Sequence, residues 1–437
     1  MDRRVFMKSG AMALVTMGLN PSFLRRTTYG MQLPKAAKGK VLICIFQRGA
    51  ADALNVVVPH GDAAYYALRP NIAIARPSLA AGDAGALDLD GKFGLHPALR
   101  SLKPLYDRGL LSPIVAVGSP SNTRSHFDAQ DYMESGTPDN KGTTDGWLNR
   151  YLAVSGTCEA GATCAPKPFK AVSLTAQMPR ILEGPSPVVA MNSLDEFTVR
   201  ATGSQSDRLE ALYRTGRADV IHATGSDTFE AVKMLKAANP AQYAPANGAQ
   251  YPVTDYGRRL KQIAQLIKSN VGLEIAFADI GGWDTHVNQG GATGQLANRL
   301  REFGDGVAAL VADLGDKMGD VVILTMTEFG RTARENGNGG TDHGHAGAMF
   351  VIGGDVRGRD VHGRWPGLAP ELLNEGRDLA LTTDFRAVFS EVVGTHLGGT
   401  QLTGTQSSRV FPGYIGAQTD WLGVLQGTPA PTGAKRG

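Results

Sequence analysis

"KVLICIFQRGAADALNVVVP", residues 40–59, decides the fold. From Val41 to Phe46 the apolar run is unbroken, as in a strand buried on both faces of a sheet, and a polar, glycine-containing turn follows it. The same order recurs in "LLSPIVAVGSPSNTRSHFDAQDYM" (110–133), "LEIAFADIGGWDTH" (273–286) and "DVVILTMTEFGRT" (320–332), and "GAMFVIGG" (347–354) closes the series. "GQLANRLREFGDGVAALVADLGDKM" (294–318) carries apolar residues at helical spacing between two of these runs. This alternation predicts an α/β domain with a mainly parallel central sheet and helices on both faces. Residues 137–250 are less regular, rich in Pro and Gly with one helical piece in "SDTFEAVKMLKAA" (226–238), and are expected to form an inserted, irregular cap region over one end of the sheet. The expected layout is a leader and linker over 1–36 and a single domain over 37–430.

The chain of 437 residues is 42% hydrophobic, enough for a substantial core. Its formal charge of +3 is spread without a basic block, which argues against nucleic acid as a partner. The 55 glycines imply tight turns and close backbone approaches in several loops. The first residues, "MDRRVFMKSGAMALVTMGLNPSF", place Arg3 and Arg4 before a modest apolar run and resemble a twin-arginine export signal. That run is too short to cross a bilayer, which takes about 20 apolar residues, so no stable transmembrane segment is expected. The expectation is export to the periplasm or beyond, with the twin-arginine translocase as a transient partner. Cys158 and Cys164 flank a loop short enough to close as a disulfide in an oxidising compartment, whereas Cys44 lies inside the first apolar run as a core thiol.

In folds of this class, ligands bind just past the carboxyl ends of strands. The polar residues gather there: Asp52, Ser125 with His126, Asp284 with His286, Glu328, and Asp342, His343 and His345 in the segment before the last strand. Carboxylate and imidazole together suit Zn, Mn or Fe. Asp284 and His286, two apart in an extended segment, point to the same side and are a candidate pair on one ion; the alternative for Asp284 is a cap on the next helix. Ser125 and Thr123 lie where a strand hands over to a helix and are candidate nucleophiles, with Arg124 as an oxyanion binder, although any helix N-cap wants the same residue types. Arg331 is a candidate for an anionic substrate or for pairing with Glu335. No G-x-G-x-x-G or G-x-x-x-x-G-K-[ST] segment follows a predicted strand, which argues against a nucleotide enzyme.

The order of elements resembles the alkaline phosphatase and sulfatase superfamily: strand then Asp, helix-opening Ser or Thr, Asp with a nearby His, a strand ending in Asp-His-Gly, and a later His. "DLALTTDFRAVFSEVVG" (378–394) resembles the helix that follows the last metal histidine there. More narrowly, "RGAADALNVVVP", "AYYALRP", "SHFDAQDYMESG", "GGWDTH", "TEFGRT" and "GTDHGHAGAMFVIGG", with the twin-arginine start, resemble the exported bacterial family called domain of unknown function 1501. The resemblance implies an alkaline-phosphatase-like fold, Asp52 as first-strand ligand, Ser125 or Thr123 as nucleophile, and Asp284, His286 and His343 or His345 around one metal. The chain departs from the superfamily at Glu328-Phe329-Gly330, which lacks the imidazole of Asp-His-Gly; His126 or Asp342 would have to replace it.

The function expected from these residues is an exported hydrolase of phosphate or sulfate esters on an anionic small molecule or glycan, using one or two divalent ions, Zn or Mn first. The alternative is a non-catalytic periplasmic binding or assembly protein with a degenerate metal site.

Overall fold

A computed structural model describes residues 39–80, 82–155, 169–194, 243–398, 404–416 and 420–428. The twin-arginine segment, Cys158, Cys164 and the piece at 226–238 lie outside the described residues.

Eight strands form the main sheet: β1 (Val41–Gln47), β2 (Leu111–Gly118), β3 (Ala171–Ser173), β4 (Val189–Ala190), β5 (Ile275–Ile280), β6 (Val321–Met326), β7 (Gly347–Gly353) and β8 (Thr383–Asp384). Their spatial order is β8-β2-β7-β6-β1-β5-β3-β4, so the strand read first from the sequence is central. Every pairing is parallel except those of β7, which runs antiparallel to both β6 and β2. Its reversal matters for the site, because the segment leading into β7 arrives at the same rim as the segments leaving its neighbours. The sequence alone does not announce the reversal, since a doubly buried strand reads alike in either direction.

Side chains of β1 alternate between two cores. Val41, Ile43 and Ile45 join the helices α3 (Asp255–Lys268) and α4 (Gln295–Leu314) on one face, while Leu42, Cys44 and Phe46 join α2 (Trp147–Ser155) and α5 (Phe385–Val392) on the other. The three-layer α/β expectation is thereby met. Burial pushes the Cys44 thiol well up from its ordinary pKa, which keeps it protonated and inert. Within 137–250, α2, β3 and β4 are integral to sheet and core; that part of the stretch extends the sheet edge instead of covering its end. Among the described residues no helix is long and apolar enough to cross a membrane.

At the entry to β1, Asp355 joins Lys40 and His396, each at 2.8 Å, and His396 in turn meets the Val41 carbonyl at 3.0 Å. The hydrogen bond from His396, with Lys40 behind it, holds the Asp355 carboxyl down at about 2 against 3.8 unperturbed. A depressed carboxyl stabilises the fold above its unfolded value and loses that contribution as pH falls through the folded value. Acid unfolding should therefore weaken the wild type between about pH 4 and pH 2 through this group. Asp355→Asn should show a flatter stability profile over that window in urea melts. Parallel profiles for the two proteins would remove Asp355 as the cause.

Candidate metal centre

Three segments at the carboxyl rim of the sheet, 285–289, 330–332 and 338–345, are stitched to one another by backbone. Residues 330–332 pair with 342–345: Gly330 N–H donates to His345 O at 2.8 Å, Gly344 N–H to Gly330 O at 2.8 Å and Thr332 N–H to Asp342 O at 2.9 Å. Residues 285–289 pair with 338–341 in the same way, through Thr341 N–H to Thr285 O at 3.2 Å and Gln289 N–H to Gly339 O at 2.9 Å. Such close strand-like contact needs residues without side chains. A Cβ on Gly344 would lie 2.4 Å from the carbonyl carbon of Arg331. Gly49, at φ +118° just past β1, would place one 2.8 Å from the backbone nitrogen of Asp284. Trp283, fully buried with its indole N–H on Ile280 O at 2.9 Å, anchors the segment that carries Asp284.

Asp284 Oδ1 is where the side chains meet. The Nε2 atoms of His286, His343 and His126 lie 3.0, 3.3 and 3.5 Å from it, and Arg331 Nη2 donates to it at 2.7 Å. His126, Asp284 and His343 form a group whose ligand atoms all fall within 4.8 Å of one another, a set able to hold a metal ion. His286 Nε2 touches two of the three, lying 3.0 Å from His343 Nε2 as well as from Asp284.

The far side of each ring is fixed. His126 Nδ1 meets Glu328 Oε1 at 2.8 Å, His286 Nδ1 meets Asp342 Oδ1 at 3.0 Å, and His343 Nδ1 meets the Arg124 carbonyl at 2.8 Å. A carboxylate or carbonyl oxygen can only accept, so each Nδ1 carries the proton and each Nε2 of a neutral ring presents a lone pair. Three lone pairs and a carboxylate thus converge, two of the nitrogens in mutual contact and His126 Nε2 buried without a hydrogen-bond partner. Acceptors repel one another unless a cation lies among them. Rings held by Nδ1–H to an oxygen and aimed by Nε2 at one point are the usual arrangement of metal-ligating histidines.

Electrostatics agree with that reading. Burial lowers the proton affinity of His343, favouring the neutral ring that metal binding would need. Glu328 raises that of His126, and the same donation strengthens the imidazole as a ligand. Burial works to raise the carboxyls of Asp284 and Glu328, but Arg331 and the imidazoles outweigh it for the first, and hydrogen bonds from His126 and Gln130 outweigh it for the second, leaving both below their ordinary values.

The structure sorts the remaining candidates. Asp52 is not brought to the cluster: its buried carboxylate is taken by Arg69 at 2.6 and 2.9 Å and by Gln289 at 2.6 Å. Glu328, expected as a ligand, is an orienting group, receiving Gly49 N–H at 2.8 Å and Gln130 at 2.9 Å beside His126. Asp342 likewise orients His286. His345 lies apart, with Asp378, Arg124 and Glu375 as the charges around it. Ser125 Oγ caps α1 (His126–Ser135) by accepting from Asp128 N–H at 3.5 Å, and Thr123 Oγ1 accepts from Ser125 N–H at 3.3 Å, so both hydroxyls serve the turn. The Arg124 guanidinium pairs with Glu375 and Asp378, at 2.6 and 2.8 Å; it is the backbone carbonyl of this residue that serves the site. Arg331 is fully buried and neutralises Asp284, not Glu335, which binds the Asn71–Ile72 backbone. Capping is not the role of Asp284, since Gly294 occupies the N-cap of α4. Phe329, standing where the superfamily pattern has an imidazole, packs on His126 and His343 at ring separations of 5.0 and 5.1 Å.

Sequence reasoning offered His126 as a replacement for the missing imidazole, and the structure brings it into the cluster able to hold an ion. Gln130 and Arg48 were missed. Arg48 bridges Gln130, Glu134 and Asp279 at 2.8–3.0 Å, bracing the helix that carries His126, and its position one residue before Gly49 is the only local signal of that role. Glu328→Gln is expected to weaken metal binding about 10–100-fold while leaving the fold intact, because it loosens the His126 ring without removing a ligand. Competition against a chelator of known affinity reads this directly. Wild-type affinity in the variant would mean that His126 does not ligate.

Residues 111–411 match the model of the family described as protein of unknown function, DUF1501, and no curated protein matches the chain. The protein belongs to that family.

Proposed function

We propose that this member of the DUF1501 family is an exported, metal-dependent hydrolase of phosphate or sulfate esters. The observation that carries the reading is the convergence of three oriented imidazoles and one carboxylate at the carboxyl rim of the sheet. Asp284, His343 and His126 would hold the ion, with His286 beside them, and the nitrogen-rich donor set favours Zn, then Mn. A divalent ion at this position would act as a Lewis acid toward an ester oxygen and a bound water. The chain's own residues do the rest: Glu328, Asp342 and the Arg124 carbonyl keep the rings aimed, and Arg331 offsets the charge of Asp284 from beneath. The alkaline-phosphatase-like order of elements supports the same class.

With Ser125 and Thr123 committed to their turn, attack by water is favoured over a seryl or threonyl intermediate. The rival reading, a periplasmic binding or assembly module, draws on the same commitment and on Phe329. Metal content of protein purified from the periplasm, followed by turnover of p-nitrophenyl phosphate and p-nitrophenyl sulfate, separates the two. One ion per chain with chelator-sensitive turnover supports the hydrolase; a bound ion with no turnover of either ester supports the module. Recovery of the protein from the periplasm of cells lacking twin-arginine transport would overturn the export route.

A further inference from the structure

Asp342, whose Oδ1 meets His286 Nδ1 at 3.0 Å, also lines a cavity of about 320 Å³. Leu68, Pro370 and Leu373 give it apolar walls, and Arg334, Arg377, Glu335 and Asp342 contribute charge. At the small end of the roughly 300–1,000 Å³ found for ligand pockets, it suits a single ring.

The polar groups decide what kind of ring. Glu335, also in the wall, has its carboxylate engaged by the Asn71 side chain and by backbone N–H groups of Asn71 and Ile72. Asn336 is committed too, donating to His286 O and Asp342 Oδ1 and accepting from Asn338 and Gly340 N–H. Arg377 donates to His343 O at 2.8 Å and pairs with Asp378 at 3.3 Å. Two unspent functions remain. Asp342 uses only Oδ1, leaving Oδ2 as an acceptor, and the Arg334 side chain makes no ion pair or hydrogen bond among the described residues. An anion in the cavity would satisfy Arg334 but face the Asp342 carboxylate; a cation would face the reverse conflict. A pair of neighbouring hydroxyls satisfies both, since a hydroxyl donates to a carboxylate and accepts from a guanidinium. Apolar walls beside such a pair match the C–H faces of a sugar ring.

We propose that this cavity is the subsite for the alcohol portion of the ester, a neutral pyranose whose adjacent hydroxyls are read by Asp342 and Arg334. The assignment to a leaving group rests on the hydrolase reading; the binding of the ring does not. The test is saturation-transfer NMR on the full chain, with and without chelator, against methyl glycosides of glucose, galactose, mannose and N-acetylglucosamine, with cyclohexanol and inorganic sulfate as controls. At least one glycoside should bind in the millimolar range in both conditions, cyclohexanol should not, and Arg334→Ala should weaken the glycoside at least tenfold. The same variant should keep its metal and its chelator-sensitive melting. Binding by no glycoside, binding indifferent to Arg334→Ala, or displacement of the sugar by sulfate from the metal-free protein would each overturn the subsite. Any of these results with chelator-sensitive melting intact leaves the hydrolase standing; sugar binding by a protein that takes up no metal sinks the hydrolase and keeps the subsite.

Discussion

Asp284→Ala and His343→Ala are each expected to abolish tight metal binding, and the double variant to lose little more than either single one. Groups that act on one ion fail as a unit, so their effects do not add. An ion that binds only the folded chain stabilises it by mass action, about 4 kcal/mol at a thousand times its dissociation constant. Wild type stripped by chelator should then melt near the single variants, and chelator should not shift the variants further. Both residues lie at the point where the imidazoles converge, and Asp284 accepts from Arg331 as well. Asp284→Ala therefore also leaves a buried guanidinium without its counter-charge, and should melt somewhat below His343→Ala. A wild type whose melting ignores chelator would end the metal reading.

Arg69→Met is expected to cost about 3–5 kcal/mol, the penalty of leaving a buried carboxylate uncompensated. Every N–H of this guanidinium is used: two bonds to Asp52, one each to Asn55, Ala333 O and Thr332 O, at 2.6–2.9 Å. Both side chains of the pair are fully buried. Adding Asp52→Asn to Arg69→Met should restore much of the loss, because the stranded charge is gone. Urea midpoints with chelator present measure this apart from the ion. Asp52→Asn alone should keep a full complement of metal, and loss of the ion in that variant would return Asp52 to the ligand set.

The contrast between Asp52 and Asp284 shows where sequence reading stops. Each follows a buried strand and each looks equally suited to a metal. Packing delivers an arginine to each, Arg69 and Arg331; what separates them is that three imidazoles also converge on Asp284, whereas Asp52 is enclosed by Arg69 and Gln289. The central sheet was legible because β1, β5 and β6 are buried almost throughout and so carry largely apolar runs, interrupted only by Asp279 in β5 and Thr325 in β6. Which strands lie side by side, and the reversal of β7, depend on pairings that no local pattern encodes. His126 illustrates the same limit: its place at the head of a helix was readable, whereas its role follows from Glu328, which lies 2.8 Å away on another segment. The capping role of Ser125, by contrast, was readable from local propensity alone.

The central place of β1 has a consequence for the chain as it is made. Its two neighbours, β5 and β6, are encoded about 230 and 280 residues later, and at about 5–20 residues per second the ribosome needs roughly ten seconds to a minute to reach them. For that time this strand, buried along its whole length in the finished protein, has neither partner and must be shielded from other nascent chains. His126 waits in the same way for Asp284 and His343, about 160 and 220 residues further on, so no part of the nascent chain short of residue 343 can hold the whole donor set. If the proposed ion binds there, its capture has to wait until residue 343 has been made, and export of the chain in its folded state would require the metal to be supplied beforehand.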